Sequence, residues 1–153
     1  MKAGRELVIV TSPDYYYVKL VPVIAALDRR PAPSRLRALA FGSLPVRVAR
    51  TGPAELELVY EGGLLASPLL ELYRARDLPM PLGTQVDLQG LRITVTGLTP
   101  DGRVERARFA FDAPLEDARY DFRQWDGAEY ARFVPPAIGT TTVLRPGQVR
   151  FGL

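Results

Sequence analysis

Leu7-Val8-Ile9-Val10 is an unbroken apolar, β-branched run, the pattern of a strand covered on both faces. Ser12-Pro13-Asp14 follows, offering a capping side chain, a proline suited to the first helical position and an acid for the first turn. A helix is predicted from there to about Asp28 or Arg29. Tyr17, Leu20, Val21, Ile24 and Leu27 share one face at helical spacing and are its expected core side. Pro22 has no N–H for the Val18 carbonyl, so either a kink or an irregular Tyr-rich segment with a shorter helix from Pro22 is open.

Arg30-Pro31-Ala32-Pro33-Ser34 reads as a linker. Beyond it the period falls to two. Leu36–Phe41, Val46–Thr51 and Glu55–Tyr60 carry β formers or alternate, separated by turns at Gly42-Ser43 and Gly52-Pro53. Gly62-Gly63 breaks the pattern, and Ser67-Pro68 opens a short helical segment, Leu69–Arg74. Pro79, Pro81 and Gly83 mark a seam. After it Val86 and Leu88 precede a turn at Gly90, and Leu91, Ile93 and Val95 alternate with Arg92, Thr94 and Thr96. Pro100-Asp101-Gly102 turns the chain into Arg103–Asp112, with Ala107, Phe109 and Phe111 inward. Tyr120–Trp125 and Ala128–Val134 form a second hairpin around Asp126-Gly127, and Thr140–Leu144 is a last strand.

This order predicts an α+β, β-rich fold: an N-terminal strand–helix–strand unit and a small barrel or sandwich-like C-terminal half. The expected division is an N-terminal α/β half, residues 1–78, a β half, residues 79–145, and a tail, 146–153, with one domain over 6–145 as the alternative.

Composition narrows the chemistry. The 153 residues are 47% hydrophobic and 24% charged, ordinary for a globular domain. Cys and His are both absent, which excludes disulfides, thiol nucleophiles, imidazole metal sites and Ser-His-Asp catalysis. The Lys complement is Lys2 and Lys19, which leaves little for a Ser-Lys dyad. Glu61-Gly62-Gly63-Leu64 and Gly139-Thr140-Thr141-Thr142 lack the lysine of a phosphate-binding loop and read as turns. Glu116, Asp117 and Asp121, with Asp112 nearby, could divide acid and base roles or hold a hard cation, but they lack EF-hand spacing and read as solvated. No catalytic residue, cofactor or metal is assigned, and the chain is read as a non-enzyme. The longest apolar stretch, Leu20–Leu27, is far below the ~20 residues of a spanning helix, so the chain as given reads as soluble.

Charge is uneven. The net charge is +3, and residues 1–80 hold 11 basic and 8 acidic side chains. Arg29 to Ala54 contains six Arg and no acid. If Arg35 and Arg37 share a strand face with Arg47 or Arg50, a basic stripe results that could meet phosphate, although edge-strand protection is the plainer reading. Nucleic acid is disfavoured by the neutral β half. Tyr15-Tyr16-Tyr17 points in three directions on a helix, so at least one ring is exposed, with two packed on the sheet. Trp125 adjoins a turn and is the better candidate for an exposed ligand-stacking aromatic.

The segment order Leu7–Asp14, Asp28-Arg-Arg-Pro-Ala-Pro33, Gly83–Gly90, Asp101-Gly102-Arg103, Phe109–Asp117, Trp125-x-Gly127 and Val134–Gly139 resembles the soluble C-terminal extramembrane domain of uncharacterised polytopic bacterial membrane proteins. The resemblance spans roughly residues 6–144 and rests on turn and packing residues. It implies a domain tethered to a membrane, through a parent chain's transmembrane segments or a membrane-protein partner, and transfers no catalytic residues. The function expected is a non-catalytic interaction or regulatory domain. Arg35, Arg37, Arg47, Arg50, Tyr15, Tyr16 and Trp125 are the candidate contacts, with anionic lipid headgroups among the partners. A small-ligand or carbohydrate-binding module is the alternative, and an enzyme using the carboxylate cluster the third reading.

Overall fold

The computed structural model describes residues 4–64 and 79–145. The expected Leu69–Arg74 helical segment, Lys2 and the 146–153 tail lie outside them. In chain order the elements are β1 (Glu6–Thr11), α1 (Tyr15–Leu27), β2 (Arg35–Ala38), β3 (Val46–Gly52), β4 (Glu55–Tyr60) and β5 (Gln85–Leu88). They continue as β6 (Leu91–Leu98), β7 (Val104–Phe111), β8 (Tyr120–Trp125), β9 (Tyr130–Arg132) and β10 (Thr141–Leu144). The fold is α+β and β-rich. Its two compact units are interleaved along the chain: Met1–Ser43 with Glu116–Pro135, and Leu44–Leu115 with Pro136–Leu144. They therefore do not follow a division near residue 78.

The first unit is a four-stranded sheet in the order β2-β1-β8-β9. β1 pairs in parallel with both β2 and β8, which is why its sequence is a continuous apolar run rather than an alternating one. All six of its residues are buried. A parallel neighbour needs a crossover, and α1 with the proline linker supplies it between β1 and β2. Leu7 and Ile9 meet Val18 and Val21 of the helix, with Leu36, Ala38, Phe41 and Tyr130 around them. On the alternate positions of β1, Glu6 pairs with Arg35 and Arg37 of β2.

The second unit is a six-stranded antiparallel sheet in the order β10-β3-β4-β7-β6-β5. Alternation holds along β3 and β4: Val46, Val48, Leu56, Leu58 and Tyr60 are buried, and the residues between them are more open. Phe109 and Ala107 of β7 stand beside Leu56 and Leu58 on the same face. Gly90 carries the β5–β6 turn at φ 77, and a Cβ there would meet the Asp112 carboxylate at 3.2 Å.

Two expectations need correction. Neither sheet closes, so there is no barrel; β10 and β5 remain as edges of one sheet, β2 and β9 of the other. The β8–β9 hairpin also leaves the β half and joins β1, because the apolar central strand needs a parallel neighbour on each side.

Candidate functional site: the outer face of the helix

α1 starts two residues later than the Ser12-Pro13 signal suggests. Asp14 is the N-cap, its Oδ1 accepting from the backbone N–H of Tyr16 at 2.7 Å and of Tyr17 at 3.1 Å. Ser12 is buried instead. Its hydroxyl donates to the Asp14 carbonyl at 2.9 Å and shares a 2.7 Å hydrogen bond with the Tyr130 hydroxyl on β9. The helix runs unbroken through Pro22. At its end Arg29 N–H donates to Ala26 O and Arg30 N–H to Ala25 O, with Arg29 at φ 53. That is the left-handed close that glycine ordinarily supplies.

The helix was expected to bury Tyr17, Leu20, Val21, Ile24 and Leu27, and this is corrected. The buried residues are Val18, Val21 and Ala25. Tyr16, Leu20, Val23, Ile24 and Leu27 are 61%, 47%, 52%, 50% and 78% exposed. At ~100° per residue the two sets lie on opposite sides of the helix. The cause is legible in the sequence: YYYVKLVPVIAAL is apolar around its circumference, with Lys19 its one charge. A helix of that kind is either buried all round or meets something beyond its own core. Residues 16, 20, 23 and 27 step by four, three and four, the spacing by which one helix presents a seam to another. Sequence reasoning missed Val23 and took Leu20, Ile24 and Leu27 for core. Counting the apolar residues left over after one face was assigned would have found them.

The aromatic candidates divide. Tyr15 packs edge-on to Phe41 at 5.8 Å and carries the Lys19 ammonium 4.5 Å over its ring. Tyr17 packs on Trp125, and Tyr16 is the exposed ring of the three. Trp125, expected to be exposed beside its turn, is buried: its ring lies 5.2 Å from both Tyr17 and Tyr130, edge to face. A sugar could stack there only by displacing one of them. Thr11 Oγ1, Gln124 Oε1 and Trp125 Nε1 are buried at this end of β1 and β8 without a hydrogen-bond partner.

Arg35 and Arg37 share no strand face with Arg47 and Arg50. Arg35 and Arg37 lie on β2 in one sheet, Arg47 and Arg50 on β3 in the other. Arg37 is buried against Glu6, which also takes Arg35 at 3.0 Å. Arg50 is buried and donates to the Gly52, Pro53 and Pro136 carbonyls. Arg47 is exposed.

Two of the carboxylate candidates sit in ion pairs with neighbouring arginines. Asp121 is held by Arg123 at 2.8 Å and Asp117 by Arg119 at 3.4 Å, and no group of acids among the described residues could hold a metal ion. Burial raises the Tyr130 phenol, and the hydrogen bond to Ser12 opposes that shift. Burial raises Tyr60 further. For both, the unfolded chain loses the proton first, near pH ~10. Stability is therefore intact below that pH and falls as pH rises beyond it. Urea unfolding across the alkaline range is expected to show this decline, with a shallower slope in Tyr60→Phe; an unchanged slope would contradict it.

No family model, no curated protein and no solved structure matches this chain.

Proposed function

We propose that this chain is a non-catalytic interaction domain of a bacterial membrane protein, and that the outer face of α1 is its contact surface. The observation that carries this reading is the exposed row Tyr16, Leu20, Val23, Ile24 and Leu27 on a helix with a single charge. Scattered exposed apolar residues are ordinary, but a contiguous row of five marks an interaction site. No helix among the described residues is long and apolar enough to cross a membrane, so the tether would come from elsewhere in a parent chain or from a partner. Headgroup binding has less to draw on, since Arg37 and Arg50 are buried within their own sheets. The alternative, a ligand stacked on Trp125, meets a ring already packed on two tyrosines.

A photo-crosslinking residue placed at Val23, in the bacterium that makes the protein, tests this. The control position is Arg108, exposed on β7 of the antiparallel sheet. The expected result is a discrete protein adduct from Val23 that fractionates with membranes, and none from Arg108. No excess over Arg108, or adducts recovered wholly in the soluble fraction, would overturn the proposal.

A further inference from the structure

We propose that the outer edge of β10 takes up an extended, acidic segment of a partner protein, added to the six-stranded sheet as one more strand. This contact lies on the second unit and does not rest on the reading of α1.

The first observation is the edge itself. The described strands leave four edges, β2, β9, β5 and β10. Three carry charge of their own: Arg35 and Arg37 on β2, Arg132 on β9 and Asp87 on β5. Charge on an edge strand discourages a foreign strand from pairing with it. β10 is Thr141-Thr142-Val143-Leu144, with no charge and no proline, and three of its four residues are β-branched. Its main chain is set for pairing as well. Arg50 N–H donates to Thr140 O, and along an antiparallel ladder the bonded positions alternate. Thr142 and Leu144 therefore bond to Val48 and Val46 of β3, and the N–H and C=O groups of Thr141 and Val143 point outward. Thr141 and Val143 are both exposed.

The second observation selects the occupant. Arg47 stands opposite Val143 on β3 and is exposed. Arg145 is exposed two residues beyond Val143, and strand alternation places it on the same face. Neither guanidinium has an ion pair or a side-chain hydrogen bond among the described residues. Glu57, further along that face, is taken by Thr96 at 3.2 Å and by Arg106 at 3.9 Å. Glu61, whose N–H donates to Pro45 O at the end of β4, forms no ion pair with either arginine. Strands lie ~4.8 Å apart, so alternate side chains of an added strand reach Arg145 directly and Arg47 across Val143. Carboxylates at those positions would meet both cations. A second copy of β10 would bring threonine and valine there instead, and no acid. Main-chain bonds at two residues make a weak contact, with a dissociation constant on the order of 100 μM.

Fluorescence anisotropy of a short labelled peptide alternating Glu and Val, titrated with the 153-residue chain, is the test. Two peptides serve for comparison: one alternating Lys and Val, and the Glu peptide N-methylated at every backbone nitrogen. Saturable binding of the Glu peptide is expected, at least about tenfold tighter than either comparison. Val143→Pro should abolish it at little cost to the fold, because the lost N–H faces away from β3. Arg47→Glu, at an exposed position, should invert the preference in favour of the Lys peptide, whatever the proline does to folding. No saturable binding, or equal binding of the Glu and Lys peptides, would overturn the acidic occupant. Binding that survives N-methylation or Val143→Pro would overturn strand addition. A dimer in sedimentation velocity that Val143→Pro dissolves would give the edge to a second copy and overturn the proposal. None of these outcomes involves Val23, so this inference and the reading of α1 fail separately.

Discussion

Glu6→Gln is expected to lower the unfolding free energy by about 3–5 kcal/mol, because it leaves the Arg37 guanidinium buried without its carboxylate. Glu6 stands on β1 directly opposite Arg35, with Val8 opposite Arg37, so parallel pairing places all three charged groups on one face of the sheet. Arg37 and Glu6 are both nearly inaccessible, and the Arg35 side chain is partly open, so the buried pair carries the effect. The pair itself is worth far less than its breakage. Desolvating two charges offsets most of their attraction, and apolar replacement of both partners is often neutral or stabilising. Glu6→Leu combined with Arg37→Met should therefore recover most of the stability lost in Glu6→Gln. Urea unfolding of the singles and the double closes the cycle. A double variant as unstable as the sum of its singles would show that the charge itself, and not its desertion, stabilises this sheet.

The same pair shows how far the sequence could be read. The acid-free stretch from Arg29 to Ala54 was visible, and it suggested a surface stripe. Its counter-ion, Glu6, lies outside that window and reaches Arg37 only because β1 and β2 are parallel neighbours. Local patterns were otherwise legible. Alternation marked β3, β4, β6 and β7, and the Leu7–Val10 run marked a strand covered on both faces. Which sheet receives the β8–β9 hairpin was not legible, since period two says nothing about a partner more than a hundred residues away. The helix was found but its face was misassigned for a related reason. A 3.6-residue period needs contrast between faces, and α1 offers none. Trp125 was misplaced because closeness to a turn in sequence does not give exposure when β9 folds Tyr130 back over the ring. The candidate contact surface was thus present in the sequence as surplus apolar residues, and it needed the packing of Val18, Val21 and Ala25 to be recognised.

Arg50→Met is expected to cost about 3 kcal/mol through a different mechanism, the loss of charged donors to buried carbonyls. Arg50 lies on β3 beside the bulge where the ladder to β4 shifts register. There its Nε donates to Gly52 O at 3.1 Å and its terminal nitrogens to Pro53 O at 3.0 Å and Pro136 O at 3.4 Å. The first two carbonyls belong to the β3–β4 turn and the third to the chain leading into β10. One guanidinium therefore fixes a turn and the approach of an edge strand together. The backbone repeats the link, with Arg50 N–H donating to Thr140 O and Gly139 N–H to Arg50 O. Hydrogen bonds from a charged donor contribute roughly 1.5–3 kcal/mol each, and three sharing one group do not add fully. Arg50→Lys keeps the charge and loses the planar fork, so it should retain less than half of the effect. Chemical denaturation gives the magnitude, and amide exchange gives the place: protection should fall first at Thr141–Leu144, which pairs with β3 along the sheet edge. A loss below about 1 kcal/mol, or unchanged exchange at β10, would mean that the strand ladder alone holds this edge. The guanidinium would then be free of the structural role that removes it from any partner-binding surface.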